Sequence, residues 1–294
     1  MKPPGGEYRT RIWIGTLLAT LTAAMLFADQ WQGFGDYHPF LLLFFVVLAP
    51  LACAELLALL GPERSPVTWV CHAGVLLILL GNWPAHLAPG WGLPAWPDAW
   101  QTMCHLFALV VLAAFCVEMA TYREPGSAVT RVALTVWVVA YLGVLPSFLA
   151  QLRWLPATDS NPSRGVTAIA LAIFVPKACD IGAYFTGRLV GRTPMTPVLS
   201  PKKTWEGLAG GLALAVLVAV LMNYFLPVLA NAALAAGFGF TVGGAGVLGD
   251  LAESLIKRDC RRKDASQVVP GFGGVLDVVD SILFAAPVAY WWLR

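Results

Sequence analysis

Residues 40–60 read FLLLFFVVLAPLACAELLALL, an apolar run interrupted by a single ionisable residue, Glu55. A helix rises about 1.5 Å per residue, so about 20 such residues cross the roughly 30 Å hydrocarbon layer of a bilayer. Comparable runs lie on both sides of it, at about residues 12–28, 67–87, 103–121, 132–150, 166–186, 207–226, 228–249 and 276–293. The chain therefore reads as an all-α, polytopic transmembrane protein of about nine spans. The runs at 207–226 and 228–249 are separated only near Leu226 and Pro227, which leaves a re-entrant or tightly turned hairpin open there. Composition agrees. Of the 294 residues, 58% are hydrophobic and 12% charged, against about 45–50% and about 25% in water-soluble chains. A globular cytosolic enzyme, a disordered chain and a fibrous one are excluded.

The net charge of +2 is bland, but its placement is not. With a cytoplasmic N-terminus, the inside segments hold Lys2, Arg9 and Arg11, then Arg64, then Arg123 and Arg131, then Arg188, Arg192, Lys202 and Lys203, and last Lys257, Arg258, Arg261, Arg262 and Lys263. Of the 19 basic residues only Arg153, Arg164 and Arg294 fall outside, and Lys177 lies within a span. Basic residues in short loops resist translocation, so this alternation predicts an N-terminus inside and a C-terminus outside. Residues 82–101, with Trp83, Trp91, Trp96 and Trp100 and no basic residue, read as an external interfacial anchor in preference to a ligand site. The first run follows Lys2, Arg9 and Arg11 as a signal peptide would, but no small-x-small cleavage site follows, so an uncleaved anchor is expected. The six cysteines have no C-x-x-C spacing and sit mostly in or at apolar runs, so neither disulfides nor zinc are expected.

Glu55, Glu118, Lys177 and Asp180 fall within spans, where an ionisable group is costly and faces a cavity or a partner. Lys177 and Asp180 are three apart and can neutralise one another. For Glu55 and Glu118 a structural and a functional role both stay open. Polar residues then concentrate in two loops of a C-terminal catalytic region, residues 166–294, behind an N-terminal scaffold of residues 1–165. The first loop, 187–206, contains Ser200-Pro-Lys202-Lys203-Thr204-Trp-Glu206 immediately before a new span. Two ammonium groups beside a helix N-terminus favour phosphate, although a topogenic loop or a patch for anionic head groups has the same charge. The second loop, 250–275, is more specific. On a helix Asp250, Glu253, Ser254 and Lys257 share a face, and Pro270-Gly-Phe-Gly-Gly274 forms a turn. Asp277 and Asp280 follow, three apart. Asp250, Asp277 and Asp280 near lysine and arginine suit metal-assisted phosphoryl chemistry, with hard carboxylate oxygens for Mg2+ and cations for phosphate. A charge-compensated set of helix ends is the alternative.

These residues resemble the integral-membrane phosphatidate cytidylyltransferases, the CDP-diacylglycerol synthases. The family pattern is similar to Ser254-x-x-Lys257-Arg258, Lys263-Asp264, Pro270-Gly271-Phe272-Gly273-Gly274 and Asp277-x-x-Asp280, with Asp180-x-x-Ala183-Tyr184 and Ser200 to Gly207 upstream. The likeness covers about residues 177–285. It implies transfer of the cytidylyl group of CTP to phosphatidate, giving CDP-diacylglycerol and pyrophosphate. It further implies Mg2+ or Mn2+ at Asp250, Asp277 and Asp280, with a second monovalent cation such as K+, and Lys257 as a catalytic group. Substrate contacts fall to Asp180, Ser200, Lys202, Lys203, Thr204, Glu206, Ser254, Arg258, Lys263, Asp264, Gly271, Phe272, Gly273 and Gly274. A homodimer in a bacterial inner membrane, with its site facing the cytoplasm, goes with the resemblance; nucleic acid does not. Phe272 stands where the family has His, and Val278 where it has Arg. The phosphate of phosphatidate needs little help from a base, so a working enzyme is expected.

Rival readings are a CTP-dependent kinase or nucleotidyltransferase acting on another lipid, and a catalytically silent lipid-binding paralogue. The motif of CDP-alcohol phosphotransferases is missing, since Ile181 follows Asp180 where Gly is required. No internal repeat supports a transporter.

Overall fold

The computed structural model describes residues 5–30, 37–64, 66–92, 96–266, 268–269 and 273–294. These residues are mostly helical, as expected for backbone that must satisfy its own hydrogen bonds within lipid. The helices are α1 (Gly5–Ala28), α2 (Pro39–Leu60), α3 (Thr68–Leu80), α4 (Pro84–Leu87), α5 (Ala99–Thr121), α6 (Ala128–Val139), α7 (Leu145–Gln151), α8 (Arg164–Val190), α9 (Trp205–Phe225), α10 (Ala232–Asp259) and α11 (Val275–Leu293). A π-turn at Ala140–Val144 joins α6 to α7. A two-stranded antiparallel hairpin, β1 (Pro194–Thr196) and β2 (Ser200–Thr204), lies between α8 and α9. Among the described residues eight helical segments are long and apolar enough to cross a membrane, and Trp13–Ala28 of α1 forms a shorter apolar helix. Eight of the nine apolar runs read from the sequence fall on these eight segments, and the run at 12–28 falls on the shorter helix. The pair around Pro227 is two long helices, α9 and α10.

Contacts divide the chain into two units. The first comprises residues 1–147 and 264–278. Its α2 begins at Pro39, whose missing N–H costs nothing at a helix start. The Asp29 carboxylate accepts the next two amides, Phe40 at 2.9 Å and Leu41 at 2.8 Å. Helix α3 packs closely against α5 and α6 because Gly74 presents no side chain; a Cβ there would stand 2.9 Å from Val139 Cγ2. Several polar groups in this apolar setting are paired. Asn82 Nδ2 donates to Ser147 Oγ at 2.9 Å, and Thr135 Oγ1 accepts the Val67 amide at 2.9 Å. Glu118, buried in α5, receives Arg131 Nη2 at 2.7 Å and Nε at 2.8 Å on one oxygen, Oε1, as charge-assisted hydrogen bonds. A removal of one partner would leave a buried charge, so Glu118 is a structural pair member.

The second unit comprises residues 148–263 and 279–294. Its helices approach through small residues, the usual device where lipid offers no hydrophobic drive for helix association. A Cβ on Gly182 of α8 would lie 2.9 Å from the Gly210 carbonyl oxygen of α9, and one on Gly239 of α10 would lie 2.7 Å from Val216 Cα. Between α9 and α10 the Asn223 side chain accepts the amides of Val228 and Leu229 and donates to the Leu229 carbonyl, closing the connection.

Candidate active site

The polar centre of the second unit depends on one close approach. Gly249 precedes Asp250 on α10, and a Cβ at Gly249 would overlap the backbone carbonyl of Asp280 on α11. Gly246, one turn earlier, faces Pro176 of α8 at 2.6 Å from where its Cβ would be. With α8, α10 and α11 drawn together at this level, carboxylate oxygens of Asp250, Glu253 and Asp280 lie within 4.8 Å of one another. Two like charges about 4 Å apart repel by about 4 kcal/mol at an effective dielectric near 20, so such a trio needs counter-charge.

Three lysines supply it from three elements. Lys203 Nζ of β2 is 2.6 Å from Asp250 Oδ2, and Lys257 Nζ of α10 is 2.5 Å from Glu253 Oε2. Lys177 Nζ of α8 stands 3.5 Å from both Asp180 Oδ2 and Asp280 Oδ1. Glu253 is wholly buried and Asp280 nearly so, while Asp250 and Asp180 keep about a third of their side-chain surface open. Four carboxylates thus face three ammonium groups, a donor set of hard oxygens with cations close by.

The hairpin is held beside this centre by several bonds. Glu206 accepts the amides of Arg192 and Thr193 and the Thr193 hydroxyl, which closes the entry to β1. Thr204 caps α9 by accepting the Gly207 amide at 3.1 Å, so that donor is already occupied. Arg258 Nε donates to the Leu199 carbonyl at 3.3 Å, and Lys203 reaches Asp250. Lys202 is exposed, and Ser200 pairs in register with Thr196. Ser254 is half-buried on α10, and Lys263 and Asp264 are exposed beyond it. Gly271 and Phe272 lie outside the described residues.

The turn before α11 belongs to the first unit. Gly273 has φ of +112°, open to glycine at little cost, and a Cβ there would lie 2.5 Å from Asp277 Oδ2. That oxygen accepts the amides of Gly274 at 2.6 Å and Ala265 at 3.2 Å. Glu55 of α2 accepts Ser266 Oγ at 2.6 Å and the amides of Val275 at 3.0 Å and Leu276 at 2.8 Å.

Of the residues expected from sequence, Asp250 and Asp280 meet directly, with Lys203 and Lys257 beside them and Asp180 joined through Lys177. Two residues of the centre, and Glu55 at the turn before α11, were absent from that expectation as site residues. Glu253 had a signal, being one turn from Asp250 on the same helix face. Lys177 was read only as the partner of Asp180. Glu55 had no signal beyond its isolation in an apolar run.

The chain matches the pattern of the cytidylyltransferase family over residues 9–294. It is 35% identical over 204 residues to "Phosphatidate cytidylyltransferase 4, chloroplastic" of Arabidopsis thaliana, covering 63% of this chain and 52% of that protein. It is 30% identical over 249 residues to "Phosphatidate cytidylyltransferase" of Staphylococcus aureus (strain COL), covering 84% of this chain and 87% of that one. The chain thus spans about half the length of the plant relative and most of the bacterial one. A family match running from Arg9 to the last residue takes in both units and every acid and lysine of the centre, and on that ground the chain belongs to the cytidylyltransferase family.

Proposed function

We propose that this membrane enzyme transfers the cytidylyl group of CTP to phosphatidate, releasing pyrophosphate and forming CDP-diacylglycerol. The observation that carries the reading is the trio Asp250, Glu253 and Asp280 with its oxygens within 4.8 Å, interleaved with Lys177, Lys203 and Lys257. A lipid phosphate attacking a nucleotide triphosphate brings two anions together, so the main obstacle is electrostatic and the main requirement is alignment. The bond formed joins a phosphatidate oxygen to the α-phosphorus of CTP; the bond broken joins that phosphorus to the pyrophosphate oxygen.

The trio of Asp250, Glu253 and Asp280 fits a hard divalent cation, and we propose that it holds Mg2+, with Asp277, three residues before Asp280 on α11, as a further carboxylate of the motif. When bound, Mg2+ would neutralise phosphate charge as a Lewis acid. The remaining work falls to the protein's own side chains. Lys203 and Lys257 sit where they can exchange a carboxylate for a phosphate oxygen, and Lys177 keeps Asp180 and Asp280 together. The hairpin presents Ser200 and Lys202 for the nucleotide, and Arg258 flanks it. The names of the plant and staphylococcal relatives support the choice of CTP and phosphatidate. The distribution of basic residues supports a cytoplasmic site.

The test is purified protein with Mg2+, phosphatidate and CTP labelled at either the α- or the γ-phosphate. Nucleotidyl transfer puts the α-label into lipid and releases pyrophosphate. Transfer of the γ-label would mark a kinase instead, and no transfer to any lipid phosphate would mark a silent paralogue. Chelation should abolish turnover, and Mg2+ should restore it.

A further inference from the structure

We infer that Glu55 is a positioning residue for the site, a carboxylate in the apolar helix α2 that holds the turn and first amides ahead of Asp277. The inference rests on the nucleotidyl-transfer reading above. Glu55 is the one charged residue of α2 and is buried. A carboxylate in such a setting is costly unless its oxygens are satisfied. Here they are satisfied by one segment: Ser266 Oγ and the Val275 amide at Oε1, and the Leu276 amide at Oε2.

Val275 and Leu276 are the first residues of α11, where amides lack helical acceptors, so a negative charge there completes the helix start. The fit leaves no space. A Cβ on Gly274 would overlap Glu55 Oε2, which gives that glycine a packing reason. The same segment is closed on itself by the reciprocal backbone bonds of Val269 and Gly273, at 2.7 and 2.9 Å, and by Asp277 Oδ2 on the Gly274 and Ala265 amides. Glu55 is therefore the outside support of a turn that carries Asp264, Gly273, Gly274 and Asp277. The support also closes the start of α11 to phosphate, because Val275 and Leu276 already donate to a carboxylate. Nucleotide phosphates are left to the lysines and Arg258.

The experiment uses full-length protein in lipid nanodiscs and the variants Glu55→Gln and Ser266→Ala. Glutamine keeps the volume but turns an amide donor toward backbone donors. Amide hydrogen exchange across residues 264–278 should speed up by about tenfold in Glu55→Gln, and the Mg2+ concentration for half-maximal turnover should rise by about tenfold, as for other groups that orient metal ligands. The KM for CTP should stay within about twofold, since no nucleotide contact is lost. Ser266→Ala removes one of the three bonds and should give a smaller change of the same kind. It decides the matter if Glu55→Gln does not fold. A folded variant with a lowered rate and an unmoved Mg2+ requirement overturns the inference. So does unchanged exchange in 264–278. If the unmutated protein releases no pyrophosphate, the proposed reaction fails, while the exchange measurement still decides whether Glu55 anchors the turn.

Discussion

Asp280 and Lys203 have opposite charge and, in the proposed reaction, opposite duties. Asp280 is nearly buried, with Lys177 Nζ 3.5 Å away and the Ser281 amide on the same oxygen. In Asp280→Asn the side chain keeps its size and loses the charge that a divalent ion requires. Turnover should fall by about 10²–10³-fold, read as pyrophosphate release, while insertion and folding persist. Lys203→Met should act differently. It removes an ammonium proposed to meet phosphate, so the KM for CTP should rise by about tenfold, equivalent to about 1.4 kcal/mol, with a smaller effect on kcat. A fall in kcat alone would show that Lys203 serves Asp250 and never the nucleotide. At this scale the sequence exposed most of the chemistry. Asp250, Lys257 and Asp280 stand out because charges at helical spacing beside a span are conspicuous. Glu253 was harder to read, since an acid four residues before Lys257 has an ordinary explanation as a helical pair, which it also forms.

Helices α10 and α11 meet where Gly249 faces the Asp280 carbonyl, so the trio rests on a position without a side chain. A Gly249→Leu substitution should wedge these helices apart at a cost of about 1–3 kcal/mol and abolish measurable turnover, even where the melting temperature falls only modestly. Gly244 is the internal control. A Cβ there meets only Leu212 Cδ2, at 4.0 Å, so Gly244→Ala should leave both turnover and melting temperature close to those of the parent. Helix extents were legible from apolar runs because hydropathy is a property of contiguous residues. The hairpin between α8 and α9 was not foreseen. Its strands are short and polar, and it is held by Glu206, Arg258 and Lys203 without any alternation of apolar residues.

For the whole molecule, the proposed orientation rests on where basic residues fall. With the six native cysteines replaced by alanine, single cysteines at Asp159 and Val198, both exposed, should report opposite sides. A membrane-impermeant maleimide should label Asp159→Cys on intact cells and Val198→Cys only after permeabilisation; the reverse pattern would place the site on the external face. What the sequence alone determined was the class of protein, the approximate extent of each apolar helix and the two loops in which charge gathers. Those are local quantities, carried by runs of about 20 residues and by neighbours three or four apart. Only the tertiary structure decided which charges meet. Lys177 reaches Asp280 across 103 residues of chain, and Glu55 reaches Ser266 and Val275 across 211 and 220. Hydrophobicity does not specify such meetings, because one apolar helix is much like another to lipid. They follow from where glycines let helices touch and from the need of each buried charge for a partner.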